Sequence, residues 1–218
     1  AAGSAEDGAG GVGGGGGSRN LRTRAEGERA VLGAFPGATI FRPAPMTGVE
    51  DRLLNQYAIM TKGLPFVPLV DGGDTKMQPV YVRDVAAAMM ASLESLETRG
   101  NTYELGGPDV FTVKQLVSLV QDTIREPSNS VPVPAALMKA ATMPREFLQK
   151  RVPFPIAATK EFTPDYIDSL EQDLVVSPGA LGLQDLGVEP TKIDEGVAIE
   201  HVRHWRTGGY DFGSNVGI

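Results

Sequence analysis

The chain has 218 residues, a formal net charge of −7 and 41% hydrophobic residues, enough for one substantial domain with room for a smaller lobe. It contains no cysteine, which excludes a disulfide framework, thiolate metal sites and a thiol nucleophile. Its acidity argues against a nucleic-acid surface, and no apolar run approaches the roughly 18–20 residues that span a bilayer, so the chain reads as soluble and intracellular.

In chain order, the first feature is GAGGVGGGGGSRNLRTRAEGE, residues 8–28, where Gly11 to Gly16 satisfy the dinucleotide pattern GxGxxG. That fingerprint works only when a strand feeds the glycines, a helix opens on them, and an acid follows about 20 residues later for the ribose. The preceding AAGSAEDGA holds no β-branched run that could form such a strand. An all-glycine stretch also has much backbone entropy to lose, so residues 1–18 read as a Gly-rich flexible loop or insertion.

Beyond it, helix and strand signals alternate. Residues 22–35 predict a helix stopped by Pro36 and Gly37, and ATIFRP (38–43) predicts a short strand ending at proline. Residues 50–62 read as a helix, and residues 65–82 as two extended runs around Asp71-Gly72-Gly73-Asp74, a hairpin signal. Asp84 is placed to cap the Ala-rich helix VAAAMMASLESL, and NTYELGG (101–107) predicts another strand. Thr112 and Gln115 stand in capping-box positions ahead of a helix with Val113, Leu116, Val117, Val120 and Ile124 on one face. Residues 131–155 are proline-punctuated around an amphipathic segment, Ala135–Lys150, and a last helix is expected over 191–206. Strands separated by helical crossovers predict an α/β fold.

Several side chains have a functional reading and a structural one. His201 and His204 lie three apart on a helix, but zinc takes about four ligands and these are the only histidines, which favours packing. Trp205 reads as a packing anchor. Asp165, Asp168, Glu171 and Asp173 follow a helix start at Thr163-Pro164 and read as a solvated helical face. Residues 133–155 combine apolar Leu137, Met138, Met143 and Phe147 with Lys139, Arg145, Lys150 and Arg151. They suit packing on the chain's own sheet, docking on another subunit, or contact with lipid headgroups.

Four stretches, RAEGERAVLGAFPGATIFRPAPMTG, QPVYVRDVAAAM, TYELGGPDVFTVKQLV and DLGVEPTKIDEGVAIEHVRHW, resemble the second half of an extended short-chain dehydrogenase/reductase. More narrowly, EDRLLNQ, TKMQPVYV, YELGGPDVFT and REFLQKRVPFP are similar to the Rossmann-fold, NADPH-binding accessory subunits of mitochondrial respiratory complex I, particularly the plant and algal forms. The resemblance covers roughly residues 18–218.

It implies the C-terminal part of a Rossmann-type extended short-chain dehydrogenase/reductase fold with a smaller α/β lobe. Residues 19–128 would form the C-terminal part of the Rossmann-like domain with interleaved lobe segments, and residues 129–218 the C-terminal lobe and tail. Only ATIFRP and YELGG look like central-sheet strands, and two strands with their helices leave bare edges and faces. The chain is therefore expected to need an N-terminal Rossmann half carrying the phosphate-binding turn, either a separate polypeptide or a preceding part of the same protein.

Enzymes of this family set a Tyr and a Lys four residues apart on the helix leading into AEGE, the Lys lowering the Tyr pKa as hydride moves. Those positions fall on Asn20 and Arg24. An asparagine amide does not titrate near neutrality, no Tyr precedes Tyr57, and Ser18 has no activating base, so no catalytic residue is expected. Arg24 keeps a charge that suits ribose or phosphate, or is simply a solvated cation. Pro43, Ala44, Pro45 and Met46 follow the strand whose end lines the nicotinamide pocket in this family, where they would present backbone groups and an apolar wall; the bland alternative is a strand-ending loop. The resemblance thus implies a non-catalytic subunit on the matrix side of the mitochondrial inner membrane, holding a structural NADPH and contacting other complex I subunits. The alternative is a divergent NAD(P)-dependent short-chain reductase or epimerase-like enzyme.

Overall fold

The structure, a computed structural model, describes residues 18–140, 164–194 and 196–206. The glycine run and most of the amphipathic segment, including Met143, Phe147, Arg145, Lys150 and Arg151, lie outside the described residues. In chain order the elements are α1 (Arg19–Ala34), β1 (Ile40–Pro43), β2 (Met46–Thr47), α2 (Leu54–Gly63), β3 (Val67–Val70), β4 (Lys76–Met77) and β5 (Val80–Tyr81). There follow α3 (Val82–Glu94), β6 (Thr102–Leu105), β7 (Phe111–Thr112), α4 (Val113–Ile124), β8 (Ser130–Val133), α5 (Pro164–Ser169) and α6 (Val197–Glu200).

The two expected central strands do pair. β1 and β6 run parallel, with Ile40 opposite Thr102 and Pro43 opposite Leu105. Alternation along these strands gives the pair two different faces. Phe41, Tyr103 and Leu105 join Ala44, Val80, Leu183 and the α3 residues Val85 and Ala88 in one apolar cluster, with the Phe41 and Tyr103 rings stacked at 5.7 Å. The opposite face carries Arg42 and Glu104 and meets α1. The second edge of β6 is taken by Leu181, whose carbonyl accepts from Glu104 N at 2.8 Å. Among the described residues no strand pairs with the second edge of β1.

A second core is larger. It packs α2 (Leu54, Tyr57, Met60) and β3 (Val67, Leu69) against α4, and adds Ile167, Ile199 and Val202 from the C-terminal segments. The α4 stripe is the clearest success of periodicity, because Val113, Leu116, Val117, Val120 and Ile124 are all buried. The capping box is present too: Thr112 Oγ1 accepts from Gln115 N at 3.1 Å, and Gln115 Oε1 accepts from Thr112 N at 2.7 Å.

Four local expectations are corrected. Residues 65–82 form no hairpin: β3 pairs parallel with β8, β4 antiparallel with β7, and β5 parallel with β2. The reason lies in the partners. Asp71, Gly72 and Gly73 form a 3-10 turn at positive φ (46°, 84° and 74°), a conformation that hairpins also use, but each flanking run pairs with a strand elsewhere in the chain. Asp71 Oδ1 then accepts from Ala135 N at 2.9 Å, tying the turn to the helical start at residues 135–140.

Asp84 does not cap α3. The helix begins at Val82, and the buried Asp84 carboxylate turns away to accept from Thr191 N at 2.7 Å and Thr191 Oγ1 at 2.9 Å. Asp84→Ala leaves that amide unpaired and is expected to cost about 2 kcal/mol, read as a lower urea midpoint at unchanged slope. The last helix is also shorter than 191–206. Residue Thr191 is held by Asp84, and Gly196 at φ +57° breaks the path before α6 and the 3-10 turn His201–Trp205.

The acids after Pro164 do not form one helical face, because the helix ends at Ser169; Glu171 and Asp173 are exposed as expected, but each acid is tied to a partner. Asp165 Oδ1 accepts from Ser18 Oγ at 3.1 Å and Arg19 N at 2.5 Å, and this external cap explains why α1 starts at Arg19 rather than residue 22. Asp168 and Glu171 both pair with Lys139 Nζ, at 2.7 and 2.6 Å, and Asp173 accepts from Lys76 N at 2.8 Å. The Asp168 hydrogen bond, with Glu171 second, holds the Lys139 ammonium above its usual range. Lys139 thus serves the chain's own packing.

Candidate functional site

The expected ligand edge is built from α1, the end of β1 and the loop into β2. After α1 the chain turns back through Phe35–Thr39 into β1, and Glu28 of α1 reaches Arg42 of β1. The helix therefore runs antiparallel to the strand. Asn20 and Arg24 lie two turns and one turn N-terminal to Glu28, toward the carboxyl end of β1, with about 6 Å of rise per four residues. Both are exposed, and Arg24 makes no hydrogen bond or ion pair among the described residues. Ser18 Oγ is engaged by Asp165.

Beyond β1, Pro43 and Pro45 are half-buried, Ala44 is buried and Met46 is 45% exposed. The structure revises what this stretch offers a ligand. Ala44 N donates to Leu105 O at 2.9 Å, and Pro45 O accepts from Val80 N at 3.1 Å. Neither proline has an N–H. Those two backbone groups are spent inside the fold, which leaves chiefly an apolar surface of Pro43, Pro45 and Met46.

An exposed cation on α1 and an apolar surface at the carboxyl end of a parallel pair are the residue types that the nicotinamide–ribose half of a dinucleotide calls for. Among the described residues nothing supplies the Gly-rich turn for its phosphates. The residues present therefore fit one side of such a ligand.

Arg42 was invisible to the sequence reading and is the electrostatic centre of this edge. Its Nη2 and Nε donate to the two Glu28 oxygens at 2.6 and 3.0 Å, and its Nη1 donates to Glu104 Oε1 at 3.2 Å. The Glu28 hydrogen bond, only partly opposed by burial, holds the guanidinium above its usual range, and Glu104 adds to it. The available signal was an arginine inside the strand ATIFRP, a charge out of place in a run that expects apolar residues on both faces.

The histidines are structural. His201 Nε2 lies 2.9 Å from Asp51 Oδ2, and both side chains are almost wholly buried, at 5% and 2% exposure. His204 Nδ1 turns onto the His201 carbonyl, and Trp205 Nε1 donates to Asn55 Oδ1 at 2.9 Å. These contacts lock the C-terminal turn onto the start of α2. No described helix is long and apolar enough to cross a membrane.

No protein-family model matches the chain. The chain is 48% identical over 200 residues to an Arabidopsis thaliana protein named NADH dehydrogenase [ubiquinone] 1 alpha subcomplex subunit 9, mitochondrial, a match that spans 91% of this chain and 50% of the relative. The chain is a homologue of that complex I subunit. The Mus musculus protein of the same name is 34% identical over 191 residues, 87% of this chain and 48% of the relative. The sequence thus sits nearer the plant form, and it spans about half the length of the relatives it matches. Among solved structures, a Thermus thermophilus UDP-glucose 4-epimerase in complex with NAD superposes with a TM-score of 0.53 at 20% identity, covering 84% of this chain and 53% of the epimerase. That likeness shows the fold, a Rossmann-type α/β architecture.

Proposed function

We propose that this chain is the C-terminal half of a non-catalytic accessory subunit of mitochondrial NADH:ubiquinone oxidoreductase, on the matrix side of the inner membrane, where it braces the peripheral arm and helps hold a structural NADP(H). The observation that carries the proposal is the 48% identity to the Arabidopsis subunit across 91% of the chain. Asn20 and Arg24 support the non-catalytic part, because neither side chain can act as the proton-transferring acid of the reductase family.

A partner half supports itself on the fold. Among the described residues β1 has an open edge, α1 has no fully buried residue, and Val31, Phe35, Met90 and Leu93 are exposed by 48–81%. Parallel sheets normally have both faces and both edges covered. An N-terminal Rossmann half, carrying the phosphate-binding turn, pairs with β1 and completes the sheet.

The test is native separation of mild-detergent extracts of mitochondrial membranes, with mass spectrometry locating peptides of this chain. Co-migration with complex I subunits, alongside peptides of a Gly-rich Rossmann half, is the expected result. Migration as a small soluble species, with sustained NADPH oxidation on added carbonyls, overturns the proposal in favour of a divergent reductase.

A further inference from the structure

Helix α1 carries Asn20 and Arg24 but has no buried residue of its own to fix its orientation. Leu21, Ala25, Glu28 and Leu32 form its half-buried face, and the directional links along it are polar. At its N-terminus, Asp165 caps it from the far end of the sequence. At its middle, both Glu28 oxygens accept from one edge of the Arg42 guanidinium, Nε and Nη2. Arg42 is itself held from the other side by Glu104, whose side chain is 7% exposed, and Glu104 Oε2 accepts from Ser177 N at 2.8 Å. A chain of charge-assisted hydrogen bonds therefore runs from the C-terminal segment through β6 and β1 to α1.

We propose that Arg42 is the positioning residue for the dinucleotide, clamping α1 to β1 so that Arg24 is set against the wall formed by Pro43, Pro45 and Met46. The inference rests on the nucleotide reading above. Glu28 and Arg24 are one helical turn apart, so the angle at which Arg42 holds Glu28 is the angle at which Arg24 meets the ligand. Position supports this role, because Arg42 immediately precedes Pro43 in the same strand and moves with that wall. Chemistry supports it as well. A guanidinium bonds two carboxylates in fixed planes, whereas an ammonium at the same site keeps the charge and loses the fork.

The experiment uses the full-length protein with its N-terminal half and two probes, NADPH and adenosine 2′,5′-bisphosphate. The second probe reports only the adenine half of a dinucleotide site. Arg42→Lys is expected to weaken NADPH binding about tenfold while leaving the bisphosphate unchanged. Amide exchange across residues 24–34 is expected to speed up in the same variant. Glu28→Gln, a milder change that keeps the side-chain shape, is expected to show the same pattern at smaller size. Unchanged NADPH affinity in Arg42→Lys overturns the proposal, and so does an equal loss for both probes, which marks general destabilisation. A wild-type protein that binds neither probe overturns the nucleotide reading itself, a result distinct from either.

Discussion

Gly107→Ala is expected to destabilise the protein by about 3 kcal/mol or more, among the largest effects available to a single methyl group. A Cβ at this position would lie 2.0 Å from the Pro79 carbonyl oxygen, against the 3.4 Å at which ordinary contact begins. The obstacle is backbone, so no rotamer change relieves it. Moving it disturbs the Gln78 hub, where Nε2 donates to Gly107 O at 2.7 Å and Oε1 accepts from Val176 N at 3.0 Å. That hub joins the end of β6 to the strand connections and to the C-terminal segment. Gly33→Ala serves as the control. It lies inside α1 with nothing within 4 Å of an added Cβ, and it should stabilise by roughly 0.5–1 kcal/mol through helix propensity. Urea midpoints of the two variants should move in opposite directions. A neutral Gly107→Ala would mean that the loop after β6 does not pack on Pro79.

These two glycines also show where sequence reasoning stops. Periodicity located α4 and its buried stripe because the information is local: a capping pair three residues apart and a 3.6-residue repeat. Strands β1 and β6 were legible as two short β-branched and aromatic runs, and their parallel pairing came only with the structure. The run from 65 to 82 misled because glycines next to aspartates are the same letters in a hairpin and in a coiled turn. Only partners 34 to 63 residues away, at β2, β7 and β8, decide between them. Asp84 misled for a similar reason. An aspartate near a helix start reads as a cap until Thr191, 107 residues on, is seen to take its carboxylate.

The candidate edge was half legible. Its apolar wall and Arg24 are proposed through a resemblance, since no property of Pro43, Ala44, Pro45 or Met46 in isolation marks a ligand surface. Arg42 was not found at all. Its role depends on Glu28 from the preceding helix and Glu104 from a strand 62 residues later, and no local pattern pairs them. The acids after Pro164 carry the same lesson. Each of Asp165, Asp168, Glu171 and Asp173 has a specific partner far away in sequence, whereas in the sequence they form only a charge run.

Raising the pH above 10 should unfold the protein sooner than its core would suggest, through Tyr57. This phenol lies in the α2–α4 core at 3% exposure, and burial, followed by the neighbouring Tyr166, pushes its pKa well above the ordinary value of 10.0. The folded state therefore keeps its proton at a pH where the unfolded chain has released it. Fewer protons bound in the unfolded state means that stability falls as pH rises. Below pH 10 the group contributes no slope, because both states hold the proton. Above it, the loss is about 1.4 kcal/mol per pH unit for one group, continuing up to the folded pKa. Tyr57→Phe keeps the ring and removes the titration, so at neutral pH it should stay within about 1 kcal/mol of the wild type. Urea midpoints measured between pH 8 and 11 should separate the two proteins, with the variant falling less steeply above pH 10. Parallel curves would show that Tyr57 reaches water in the folded state and that the junction of α2, α4 and Tyr166 is looser than its packing implies.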